Sequence, residues 1–84
     1  MKVIKRDGRE VDYDKSKIKI AIEKANGDVR KQERASQEEI KSIIEYIEEL
    51  NKKRILVEDI QDIIERKLME FQKYELAKTY IVYR

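Results

Sequence analysis

The chain has 84 residues with no cysteine, histidine or proline; 45% of it is charged, and the formal net charge is only +2. That length allows one compact domain, and the missing residue types exclude disulfides, thiolate and imidazole chemistry and the usual zinc ligands. No apolar run reaches about 18 residues and no charged-then-apolar leader is present, so neither a membrane span nor a signal peptide is expected, and a reducing cytoplasm is the expected compartment.

Residues 2–13 read as a β-hairpin about Asp7-Gly8, a dipeptide that tolerates positive φ. A two-residue turn there predicts that Arg6 faces Arg9, Lys5 faces Glu10, Ile4 faces Val11 and Val3 faces Asp12, with Ile4 and Val11 as an apolar pair. Over 15–26, Ile18, Ala21, Ile22 and Ala25 recur at helical spacing, with Asp14 as N-cap and Asn26-Gly27 as the stop. Residues 28–35 are polar and read as a loop. Ser36 and Glu39 form a capping box opening a helix to about Asn51, with Ile40, Ile43, Ile44, Ile47 and Leu50 on one stripe. Lys52–Arg54 is a solvated connector and Ile55–Val57 a third short strand. Glu58–Phe71 is a helix turning Ile60, Ile63, Ile64, Leu68 and Phe71 inward, and a last helix over about 73–83 presents Leu76, Ala77, Tyr80 and Ile81. The expected fold class is α+β, mostly α. The charge density does not signal disorder, because the apolar residues keep these periods.

Catalysis finds no footing in these residues. The carboxylates sit beside Lys and Arg in the pattern of a solvated face, and Ser16, Ser36, Ser42 and Thr79 have no histidine to activate them. Neither GxxxxGK[ST] nor GxGxxG occurs, which excludes a P-loop. Charge is unevenly distributed: residues 1–34 carry 11 Lys/Arg against 7 Asp/Glu, and residues 35–84 carry 9 against 11. Lys5, Arg6 and Arg9 crowd the hairpin, and Lys17 falls in the first turn of the first helix, where free N–H groups and the helix dipole favour an anion. Two explanations fit: long side chains splaying into water, or an anion site between the hairpin and a helix start.

Three separated motifs carry a resemblance. Val3-Ile4-Lys5-Arg6-Asp7-Gly8 with Val11-Asp12-Tyr13-Asp14 and Lys17-Ile18 resembles the opening of the ATP-cone domain. Val57-Glu58-Asp59-Ile60-Gln61-Asp62-Ile63-Ile64-Glu65 is similar to that family's later E-[ED]-I-Q helix, and Tyr74 to Arg84 resembles its closing A-x-x-Y-I-x-Y-R. The match spans essentially the whole chain, so residues 1–84 are expected to form a single nucleotide-binding domain. The closing motif looks most like the N-terminal cone of anaerobic ribonucleotide reductases, with the aerobic class close behind.

The resemblance implies a four-helix bundle capped by a small sheet, holding ATP or dATP, accompanied by Mg2+, as an allosteric ligand of a ribonucleotide reductase. ATP favours activity in that family and dATP an inhibited assembly. By position, Lys5, Arg6 and Lys17 should contact phosphates. Val11–Asp14 should line the adenine through main chain, Ile18 should pack on the base, and Val57 and Gln61 should approach phosphates and sugar. The implied partners are the nucleotide, the catalytic domain or subunit of a reductase, and a second cone. A repressor's cone and a non-binding helical interaction domain are the alternatives. The small net charge and the lack of a zinc ribbon speak against nucleic acid. Two departures stand out: Val57 replaces the family's Ser or Thr, whose hydroxyl would cap the third helix and touch phosphate, and the basic residue that follows the closing motif in some cones lies beyond Arg84. An excised domain or a free-standing cone is expected.

Overall fold

The computed structural model describes residues 1–83. Arg84, the last residue of the closing motif, lies outside them. In chain order the elements are β1 (Lys2–Ile4), β2 (Glu10–Asp12), α1 (Lys15–Asn26), a single 3₁₀ turn (Lys31–Glu33), α2 (Gln37–Glu49), β3 (Arg54–Leu56), α3 (Val57–Glu70) and α4 (Tyr74–Tyr83). The fold is α+β and mostly α, as the periodicities predict. The sheet runs β2-β1-β3, with β1 antiparallel to β2 and parallel to β3.

The hairpin register differs from the expected one by a residue. Lys2 pairs with Asp12, Val3 with Val11 and Ile4 with Glu10. Gly8 N–H donates to the Lys5 carbonyl at 2.9 Å and Lys5 N–H to the Arg9 carbonyl at 2.8 Å, so Arg6, Asp7 and Gly8 form a three-residue loop. A two-residue type I′ turn needs positive φ at both central positions. Among the loop residues only Gly8 has it, at +89°, which suits the glycine of a bulged three-residue turn. Asp7 secures the loop by accepting from Arg9 N–H at 3.1 Å. A one-residue slip exchanges the faces of a strand, so the apolar cross-strand pair is Val3–Val11 rather than Ile4–Val11.

The helix starts obey local chemistry where a capping residue is present. Asp14 caps α1, and Ser36 and Glu39 make the reciprocal capping box of α2. By contrast β3 ends and α3 begins one residue earlier than expected: Leu56 takes the cap position, without a side-chain bond, and Val57 is the first helical residue. A hydroxyl at position 57 would therefore sit inside the first turn, not at its cap. The helix α3 ends in a Schellman motif, Gln72 N–H to Met69 O and Lys73 N–H to Leu68 O, with Gln72 at φ +62°.

The polar stretch 28–35 contributes to the core. Val29 and Ala35 are buried, and Asn26 holds the loop by donating to the Ala35 carbonyl and accepting from Ala35 N–H. Glu33 accepts from the first-turn N–H of Glu75, supplying α4 with a cap from a distant segment. Helix α1 packs on α2 and α4, and α3 packs on α2 and α4. Ile22, Ile40, Ile43, Ile47, Ile64, Leu68 and Leu76 fill the space between them with almost no exposure. Ile63 and Phe71 are only partly buried, and Ile81, expected inward, is exposed. Among the described residues no helix is long and apolar enough to cross a membrane.

Candidate functional site

A cleft opens where the sheet meets the starts of α1 and α3. Its inner part, about 200 Å³, is lined by Lys5 and Val11 of the hairpin, Tyr13 and Asp14 of the following segment, and Lys17 and Ile18 of α1. Val57, Ile60, Gln61 and Ile64 of α3 and Tyr80 of α4 complete it. Its outer part, about 320 Å³, is lined by Lys5, Arg6, Asp7, Arg9, Val57 and Gln61. Lys5, Val57 and Gln61 belong to both, so the two parts are continuous.

All eight residues singled out from the sequence lie on this cleft. Lys5, Val11, Asp14, Lys17, Ile18, Val57 and Gln61 line the inner part, and Arg6 stands at the mouth. Sequence reasoning did not assign Val3, Ile60, Ile64 or Tyr80 to the site, reading them as core or strand positions. Tyr80 is buried and lines the cleft at once. Its spacing of four from Leu76 places it on the inward stripe of α4, but nothing local says which neighbour it meets.

The polar groups fall into committed and uncommitted sets. Asp14 is committed: its Oδ1 accepts from Ser16 Oγ at 2.6 Å and from Ser16 N–H at 3.0 Å. The bond from the Ser16 hydroxyl above all, then that from its backbone and the charge of Lys17, hold the Asp14 carboxyl below the usual carboxylate range. Asp12 is paired with Lys2, whose bond and charge hold its carboxyl low too. Among the described residues, Lys5 and Lys17 have no carboxylate partner at ion-pair distance. The first-turn N–H groups of α3 lack intrahelical acceptors, and no side chain caps them.

Tyr13 closes one side. Its hydroxyl donates to Glu48 Oε2 of α2 at 3.0 Å, and burial, followed by that bond and the nearby negative charge, pushes its pKa well above the usual tyrosine value. A larger hollow of about 630 Å³ lies between α1 and α2, lined in part by Lys15, Lys19, Lys41, Glu45 and Glu48. There Lys41 sits 3.9 Å from Glu45, and lysines and glutamates share the lining, so it does not concentrate one sign. The smaller cleft joins an apolar slot to a cationic mouth beside an uncapped helix start, which suits a ligand with an aromatic end and a polyanionic one.

Comparison with known proteins gives a family and several relatives. The model of the ATP cone domain family matches residues 1–84. The chain is 38% identical to the ribonucleoside-diphosphate reductase subunit alpha of Chlamydia trachomatis serovar D, covering 100% of this chain and 9% of that protein. It is 35% identical to the vitamin B12-dependent ribonucleoside-diphosphate reductase of Thermoplasma acidophilum, covering 98% of this chain and 11% of that protein. The Chlamydia pneumoniae subunit alpha is 36% identical, with 98% and 9% covered. The chain thus spans about a tenth of the length of the curated relatives it matches.

Proposed function

Since the chain belongs to the ATP cone domain family, we propose that it binds ATP or dATP in the cleft between hairpin, α1 and α3, and that occupancy regulates the reductase of which it is a part. The observation that carries this reading is the continuity of the apolar slot with the cationic mouth. Ile18, Val11 and Tyr80 offer a surface for adenine, and the segment 11–14 runs alongside it. Lys5, Arg6 and Lys17 supply positive charge for the phosphates, together with the N–H groups at the start of α3. Val57 and Gln61 lie between base and phosphates.

The domain does no chemistry of its own in this reading. Among the described residues no group of three or more His, Cys, Asp or Glu is placed to hold a metal ion. Mg2+ would therefore arrive on the phosphates, as it commonly does. The relatives support a diphosphate reductase as parent rather than a triphosphate reductase. Regulation would run through contacts with that enzyme's catalytic part or with another cone, ATP and dATP having opposite effects.

Calorimetric titration with ATP and with dATP, at millimolar Mg2+, tests the reading. Saturable binding is expected for both, and Lys17→Ala should weaken it about tenfold, the loss of one charge-assisted contact, with circular dichroism unchanged. No heat, and no change in Tm at millimolar ATP, would overturn it.

A further inference from the structure

Arg6 is already engaged at the mouth of the cleft. Its Nη2 donates to Gln61 Oε1 at 3.3 Å, and its Nε lies 3.6 Å from Glu58 Oε1. Glu58 sits in the first turn of α3, at a helix start with no capping side chain. Negative charge is favoured there by the helix dipole. This one carboxylate therefore has both things a ligand phosphate would seek: the guanidinium of Arg6 and the positive end of α3.

We propose that Glu58 is a built-in competitor of the ligand's phosphates, setting the nucleotide concentration at which Arg6 changes partner. The inference rests on the nucleotide reading above. The pair is suited to exchange, because Arg6 and Glu58 are 60% and 59% exposed and an ion pair in that setting is weak. A polyphosphate brings several charges at once and displaces the carboxylate. Lys5 and Lys17 are open to a ligand without any such displacement, so of the three cations assigned to the phosphates only Arg6 carries the competition. The consequence is an affinity lower than the cations alone would give, and a working range moved to higher ligand concentration.

The test is a double-mutant cycle. The protein, Glu58→Gln, Arg6→Gln and the double variant are each titrated calorimetrically with ATP and, separately, with inorganic tripolyphosphate. Glu58→Gln should bind both ligands about two- to fivefold more tightly, the fold-change equivalent of an exposed ion pair. Arg6→Gln should bind both more weakly and should abolish the gain from Glu58→Gln. An unchanged or weaker affinity in Glu58→Gln overturns the proposal. So does an equal gain with Arg6 absent, which would mean general charge repulsion. If ATP binds no better than tripolyphosphate in every variant, the adenine reading fails while the exchange at Arg6 is still read from tripolyphosphate. If neither ligand binds any variant, both fall.

Discussion

Tyr13 belongs to two surfaces, its ring lining the cleft and its hydroxyl held by Glu48 of α2. Burial and the Glu48 bond raise its pKa, so the folded state favours the neutral phenol. The stabilisation this gives is complete below the ordinary tyrosine value of about 10 and is lost as pH rises through the higher folded value. Tyr13→Phe should cost about 1 kcal/mol at pH 7, the net worth of one such hydrogen bond. It should also flatten the alkaline limb of stability, measured by urea unfolding from pH 7 to 11. Tyr83, whose bond to Asp28 raises its pKa in the same direction, is the necessary control. An alkaline limb unchanged in Tyr13→Phe but flattened in Tyr83→Phe would assign the effect to the wrong end of the molecule for any link to the cleft.

At the level of elements, the helix ends are the sensitive points. Asp14→Ala removes the cap of α1 and should lower the urea midpoint. Because the folded carboxyl is held low, that stabilisation is present above the ordinary carboxylate value of about 4 and disappears as pH falls through the folded value, so the variant should be less acid-sensitive than the parent. Gln72 sits at φ +62° in the Schellman turn between α3 and α4, where a β-carbon is disfavoured. Gln72→Gly should raise stability by about 0.5–1 kcal/mol after the entropy of the glycine is offset, visible as a higher urea midpoint with an unchanged slope. These ends also show what sequence can reveal. The Ser36–Glu39 box and Asp14 were legible because a cap is a contact within four residues. The hairpin register was not, because Asp7-Gly8 suits a two-residue or a three-residue loop, and only the backbone decides which residue takes positive φ. Nor was the burial of Val29 and Ala35, which depends on Asn26 folding the polar loop back on itself.

Across the whole molecule, the cationic half of the cleft was readable from Lys5, Arg6 and Lys17, since charge clustering and a helix start are local signals. The apolar half was less so. Ile60, Ile64 and Tyr80 look like any core positions until α3 and α4 are set against the sheet. A domain of this size has a stability of about 5–15 kcal/mol, and Leu68 is fully buried near its centre. Leu68→Ala should cost about 2–5 kcal/mol. If the chain binds ATP as proposed, ATP at a hundredfold excess over its Kd should return about 2.7 kcal/mol, so the lowered Tm of this variant should recover substantially when ATP is added; no recovery would count against ATP binding to the folded chain. The central strand gives this a kinetic side. Residue 2 pairs with residue 54, and Val3 shares the cleft with Tyr80. On a ribosome the early hairpin must wait for β3 and then α4 before it has a complete pocket beneath it. On the nucleotide reading proposed above, ligand capture would be a late event in the life of each nascent chain, certifying that the first and last elements have met.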